Sequence, residues 1–308
     1  GEGGYRDMLA SLGVAERDVA KVVPDRIYSL AFHPSVTKTL VAAGDKGGRV
    51  GVFDADGPDE GDACVTLLDL HSSPVSWLHF DPRCAARMLS SSYDNTVRML
   101  DLERQAWVQV HESEEARVGF LSTAALDHAR DMLYLGVGQH PGALWRQDLR
   151  EAAGRGRPAE LHDRTIRAID VSPADNNLLM TGSVDGTVRL WDARKLQRGA
   201  QTAEFVHGKG VTACGFNRHG TLAVSTSFDD TLRVLDIVGR RELHSIAHNN
   251  QTGRWLTSFR ALFDPNTDAF FAVGSMLQPR GVDVYEAGSG RRAPRLQDPN
   301  LASVTSLL

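Results

Sequence analysis

The stretch from Leu178 to Arg194, LLMTGSVDGTVRLWDAR, is the clearest copy of a unit that returns along the whole chain. Leu178 to Gly182 is apolar and suits a strand, Ser183-Val184-Asp185-Gly186 has turn chemistry, and Thr187 to Trp191 alternates before closing on Trp191-Asp192. The closing acidic residues Asp54, Asp101, Asp148, Asp192, Asp236 and Glu286 follow one another at 47, 47, 44, 44 and 50 residues. Four short strands with their turns consume about this much chain, so the period predicts an all-β array of small antiparallel sheets.

A Trp-Asp pair after such a hairpin, with a histidine ahead of it, resembles the WD repeat. The resemblance implies that Asp185 accepts hydrogen bonds from turn N–H groups and from His162, while Trp191 covers the pair from water. His71, His162 and His207 precede Asp94, Asp185 and Asp229 by 23, 23 and 22 residues, which accounts for these histidines without a metal. Six blades follow in order from Asp25. The third, VGFLSTAAL with DMLYLGVGQHPGALWRQD, is the weakest and has no Trp-Asp pair. LASVTSLL, Leu301 to Leu308, reads as the inner strand of a seventh blade whose remaining strands are missing. The expected fold is therefore an all-β WD-repeat β-propeller of seven-blade type with the seventh blade incomplete. With Gly1 where an initiating Met would stand, the simplest reading is an excerpt or truncated product, and a six-blade ring is the alternative.

Ahead of the repeats, Tyr5, Met8, Leu9 and Leu12 share one face of a short helix that Gly13 ends, and a second turn between Ala15 and Val23 stops at Pro24. Residues 1–24 are thus an N-terminal helical extension to a propeller over 25–308. The helix either lies against its own domain or docks a partner.

Composition narrows the function. No apolar run reaches the length of a membrane span, and GEGGYRDM lacks the features of a signal peptide. Cys64, Cys84 and Cys214 are odd in number and form no CxxC pair, which argues against a disulfide framework or a structural zinc. GDKGGRVG at Gly44 to Gly51 looks like a phosphate-cradling loop, but it joins two strands and matches the turn of the other repeats. No Ser-His-Asp or Cys-His arrangement stands apart from the repeats, so no enzyme, cofactor or small-molecule substrate is expected. The net charge of −5 is carried entirely by residues 1–70, with twelve acidic and seven basic side chains, whereas Arg240 to Arg295 holds eight arginines. A local basic patch on an acidic protein is compatible with nucleic acid.

Antiparallel alternation places loops after second and fourth strands on one face of the blades, and loops after first and third strands on the other. The insertion His248 to Thr257, HNNQTGRWLT, follows a fourth strand, while Arg194 follows a third. HNNQTGRWLTSFRALFDP, FFAVGSMLQPRGVDVY and LQDPNLASVTSLL together resemble the DNA damage-binding WD-repeat family, which includes the small subunit of the UV-damaged-DNA-binding complex. YRDMLASLGV and DRIYSLAFHPS are similar to a branch of nuclear relatives without the UV role. The resemblance implies a nuclear protein and a DNA-contacting site at Gln251, Gly253, Arg254 and Trp255, and Arg280, Arg164 and Lys209, in loops on the same expected face, are candidate phosphate contacts. It departs from the lesion-binding member's aromatic-amide-histidine triplet, which leaves general DNA or chromatin affinity as the expectation. In the other reading of this loop, Trp255 and Leu256 anchor it in the core. Arg167, within a first strand, is expected to project toward a central channel. Trp191, Asp192 and Arg194 also resemble the WDxR box of substrate receptors for cullin-RING ubiquitin ligases, which implies an adaptor contact through Arg194. The alternative function is a scaffold reading peptides such as histone tails, with DNA association indirect.

Overall fold

The protein is described by a computed structural model over residues 2–57, 61–112, 119–138, 140–151 and 157–307. Gln139 of the third repeat and Leu308 of the expected seventh-blade strand lie outside the described residues. The chain divides into two compact units, one of Ala15–Glu160 and one of Gly1–Val14 with Leu161–Leu308.

In the first of these units each repeat forms a four-stranded antiparallel blade whose strands lie side by side in chain order. Blade 1 is β1 (Ile27–Phe32), β2 (Leu40–Asp45), β3 (Arg49–Asp54) and β4 (Val65–Asp69). Blade 2 is β5 (Val75–Phe80), β6 (Arg87–Ser92), β7 (Thr96–Asp101) and β8 (Ala106–Glu112). Blade 3 is β9 (Leu121–Asp127), β10 (Met132–Val137), β11 (Gly142–Asp148) and β12 (Ala159–His162), the unit boundary falling within β12. The glycine-rich stretch of blade 1 is the expected hairpin turn: Asp45 Oδ1 accepts the N–H groups of Gly47 (2.8 Å) and Arg49 (2.9 Å), and Gly48 has φ +96°.

The second unit holds blade 4, with β13 (Ile166–Val171), β14 (Leu178–Ser183), β15 (Thr187–Asp192) and β16 (Ala203–Val206). Blade 5 is β17 (Val211–Phe216), β18 (Leu222–Ser227), β19 (Thr231–Asp236) and β20 (Arg241–Ala247). Blade 6 is β21 (Leu262–Phe263), β22 (Phe270–Gly274), β23 (Gly281–Glu286) and β24 (Leu296–Gln297). The expected helix spans Glu2–Ser11 (α1) and lies against its own unit. Tyr5 stacks on Phe270 with ring centroids 4.6 Å apart and its hydroxyl donates to Asp264, while Leu9 is buried beside Phe270, Val284 and Ala293. The second helical turn is a short 3-10 segment, Glu16–Asp18.

Blades bury their faces against the next blade. Met180, Val188 and Leu190 of blade 4 pack on Val211, Phe216 and Leu235 of blade 5. Val224, Leu232 and Val234 of blade 5 pack on Phe271, Val273 and Tyr285 of blade 6. Each such side chain contributes roughly 1.5–3 kcal/mol when fully removed from water. Contact is close where a second strand meets the next inner strand. A Cβ at Gly44 would stand 2.6 Å from Val75, and one at Gly182 would stand 2.8 Å from Val211.

Residues 301–307 form no strand, contrary to the expectation of a seventh inner strand. A strand exists through its ladder, and none of the described strands pairs with this segment. It still packs: Val304 joins the apolar cluster of blade 6, and a Cβ at Gly274 would collide with the Thr305 carbonyl.

Each well-formed blade is locked by a directed chain of hydrogen bonds. In blade 4, Trp191 Nε1 donates to Thr181 Oγ1 (2.8 Å). The Thr181 hydroxyl donates to His162 Nε2 (2.7 Å), and His162 Nδ1 donates to Asp185 Oδ2 (2.9 Å). Asp185 also accepts Thr187 N, Thr187 Oγ1 and Asp163 N at 2.7–3.1 Å. Trp191 is fully buried, edge-on to His162, as the resemblance implied. Blades 2 and 5 keep the chain through Ser90 and Ser225 and replace the tryptophan with the buried Leu100 and Leu235. In blade 3, Gln147 stands where blade 4 has Trp191 and lies 3.3 Å from His111. Burial opposes ionisation of Asp185, but the bonds from His162 and Thr187 overcome it and hold the carboxyl well below its ordinary 3.8.

Thr181→Val keeps the shape but leaves Trp191 Nε1 without its acceptor and His162 Nε2 without its donor. The expected loss is about 1–3 kcal/mol in urea unfolding. Burial pushes His207 from 6.5 down to about 4, with Arg233 adding to the shift. Between these values the unfolded imidazole binds a proton and the folded one does not, so stability is full above 6.5 and declines as pH falls toward about 4. Thermal melts over that range should show the decline, and His207→Gln should flatten it.

Candidate nucleic-acid interface

Within the second unit, Arg164 lies between β12 and β13, Lys209 between β16 and β17, the insertion between β20 and β21, and Arg280 between β22 and β23. Antiparallel alternation puts all four at one end of blades 4 to 6, and Arg194, after β15, at the other. The serines that end β14 and β18 each pin the neighbouring loop. Ser183 Oγ donates to the Arg164 carbonyl (2.8 Å) and Ser227 Oγ to the Lys209 carbonyl (2.9 Å). The backbone is fixed at both places, and the side chains of Arg164 and Lys209 are exposed. Arg167 is also exposed, on β13.

The insertion has a fastened base and an exposed tip. Asn250 Nδ2 donates to the carbonyls of Ser227 (2.8 Å) and Thr231 (3.1 Å), and Asn250 N donates to Asp230 Oδ1 (2.9 Å). Gln251 Nε2 donates to Phe228 O (2.9 Å) and reaches both Asp230 oxygens. This amide therefore anchors the loop. Where the chain returns, Phe259 is fully buried, Thr212 Oγ1 donates to its carbonyl (3.1 Å), and Ala261 N donates to Thr226 Oγ1 (3.1 Å). Between these ends Gly253, at φ +66°, turns the chain, and Arg254 and Trp255 stand on that turn. Trp255 is 86% exposed, which excludes the reading in which it anchors the loop in the core. Leu256 is half-buried.

The base is tied to blade 6 by a cluster that the sequence did not announce. His248 Nδ1 donates to Asn250 Oδ1 (2.7 Å), Nε2 lies 3.5 Å from the buried Asp283 carboxylate, and the ring stands edge-on to Phe259 and Tyr285. Arg292 and Arg295 approach the same carboxylate at 3.4 and 3.2 Å. Burial disfavours the charge on Asp283, but His248, Ser275 and the two guanidiniums reverse the balance and lower its pKa. Position 283 pairs with Val273 as Arg189 pairs with Thr181, so blade 6 carries an acid where blade 4 carries a base. That inversion was the available signal. Arg280 is half-buried and donates through Nη1 to the Met276 carbonyl (2.9 Å), bracing its own hairpin.

At the opposite end, Arg194 Nε and Nη2 bind both oxygens of Asp192 at 2.9 and 2.7 Å. The guanidinium is 70% exposed in a set orientation. Trp191 is buried beneath and offers a partner no surface. In the other unit Arg150 binds Asp148 in the same fork, at 2.8 and 2.6 Å. The shared Asp-x-Arg spacing could have revealed this second copy.

Cys64, Cys84 and Cys214 form no disulfide, no group of three or more described metal-ligating side chains converges, and no described helix is long and apolar enough to cross a membrane. The family model for the WD domain, G-beta repeat, matches residues 62–101, 160–192 and 199–236, the three blades that carry the His-Asp pair. WD repeat-containing protein 76 of Xenopus laevis is 34% identical over 98% of this chain and 53% of its own length. The protein of that name from Mus musculus is 34% identical over 98% of the chain and 49% of its own. DNA damage-binding protein cmr1 of Neurospora crassa is 30% identical over 93% of the chain and 61% of its own. The chain thus spans about half of the longer relatives and three fifths of the fungal one. Over most of its own length the chain is thus homologous to these proteins, and it is an all-β WD40 β-propeller whose described strands form six blades.

Proposed function

We propose that this chain is the non-enzymatic, DNA- or chromatin-binding propeller of a nuclear protein acting in the DNA damage response. The carrying observation is the pair Arg254 and Trp255, displayed on a turn whose two ends are fastened to blade 5. A guanidinium pairs with phosphate or lies in a narrow minor groove, and an indole stacks on or wedges between bases. Pre-fastening the base means that little loop entropy is lost on binding. Arg164 and Lys209, at the same end of the unit, supply phosphate contacts, while Gln251, Gly253 and Arg280 shape and brace the loops. Relatives named for binding damaged DNA support the assignment. The seven-blade type belongs to the same reading, since Thr305 crowds Gly274 much as Val75 and Val211 crowd Gly44 and Gly182.

Fluorescence anisotropy with a short duplex, intact or carrying a helix-distorting lesion, tests this at low and physiological salt. Trp255→Ala should weaken binding by about 1–3 kcal/mol. Arg254→Ala should weaken it uniformly across sequences and reduce the salt slope by about 1. Unchanged affinity in both variants removes the site. Absence of duplex binding, with binding to histone-tail peptides, establishes the peptide-reading scaffold instead.

A substrate-receptor role for a cullin-RING ligase rests on the forked Asp192–Arg194 pair at the far end of the blades, which leaves the DNA end free. Arg194→Ala should abolish co-purification of the ligase adaptor while leaving duplex affinity intact. Retained adaptor in that variant rejects the role.

A further inference from the structure

We propose that His79 and His128 form an open, two-histidine site for a divalent transition metal, with Zn2+ the simplest fit. His79 lies on β5 and His128 immediately follows β9, so the pair joins the inner strands of blades 2 and 3. Their Nε2 atoms face each other at 2.9 Å. Two imidazoles on one tetrahedral zinc, with Zn–N bonds of about 2.0–2.1 Å, stand about 3.3 Å apart. The rings need only separate by a few tenths of an ångström.

The surroundings match those of ligating histidines. The His128 Nδ1 atom has no hydrogen-bond partner and lies 3.7 Å from Asp81 Oδ1. Asp81 is 2% exposed and is held by Arg83 N (3.0 Å), Arg83 Nε (3.1 Å) and Arg87 Nη1 (3.4 Å). A carboxylate behind the second ring nitrogen fixes the tautomer of a metal-bound histidine and raises its basicity. The His79 ring lies parallel to Trp77, 5.3 Å between centroids, which sets its plane. His128 is 30% exposed, so an ion can enter from solvent.

In the metal-free protein one Nε2 carries a proton and the other accepts it. Metal binding needs both lone pairs. His128 then carries its proton on Nδ1 toward Asp81, His79 shifts its proton to Nδ1, and both ligands stay neutral. Water fills the remaining coordination positions.

The alternative is a simple hydrogen-bonded clasp between two strands. Untagged, metal-free protein titrated calorimetrically with zinc chloride should take up one ion at this site. His128→Gln should weaken uptake by more than tenfold, and Asp81→Asn by about tenfold. In parallel, substoichiometric Cu2+ should broaden the NMR signals of His79 and His128 before those of His33, His219 and His244. This readout uses the unsubstituted protein and stands even if a variant does not fold. Zinc uptake unchanged in a folded His128→Gln, or copper broadening that begins elsewhere, leaves only the clasp.

Discussion

No blade of this protein has an interior of its own. A four-stranded sheet presents one apolar surface to each side, and Met180, Val188 and Leu190 are covered only because blade 5 stands against blade 4. Everything functional hangs on this dependence. It requires close approach, and Gly44 and Gly182 permit it where any Cβ would meet the valine of the next inner strand. The Trp-Thr-His-Asp chain then secures what packing alone leaves loose, since it joins a blade's own hairpin to the loop that enters it. The bonds run in one direction, so each donor and acceptor is used and the histidine stays neutral.

A rigid frame lets a protein keep exposed groups in place without burying them. The tip at Arg254 and Trp255 carries a large apolar surface in water, and its position is defined by groups several residues away on either side. His248, Asp283, Arg292 and Arg295 form an ionic cluster under that loop, where blade 6 has given up the hydrogen-bond chain of its neighbours. A buried carboxylate is tolerated there because two guanidiniums and an imidazole offset its desolvation. The Asp192–Arg194 fork at the other end of the blades follows the same logic in shorter form, one side chain setting the direction of another.

Much of the fold was legible because its signals are local. The hairpin at Thr181 to Trp191, the His-Asp spacing of three blades and the helix ahead of Gly13 each depend on residues close in sequence, and each was placed from them. Blade 3 was read weakly because Gln147 replaces the tryptophan, and its partner His111 sits on the last strand of the preceding blade. The segment after Asn300 misled for a related reason. Its pattern suits a strand, yet strand structure is a property of a pair, and none of the described strands pairs with it.

By itself the sequence determined an all-β chain of repeated four-stranded units, the strand at which each loop begins, and hence which end of the blades carries Arg254, Trp255, Arg164 and Lys209 and which carries Arg194. Only the tertiary structure decided that Trp255 faces solvent while Gln251 and Arg280 brace loops, that Trp191 is beyond a partner's reach, and that His79 meets His128. The physical reason is the range of the interactions. Strands and turns are set by neighbours a few residues apart, whereas burial and the pairing of polar side chains depend on which blade comes to stand next to which.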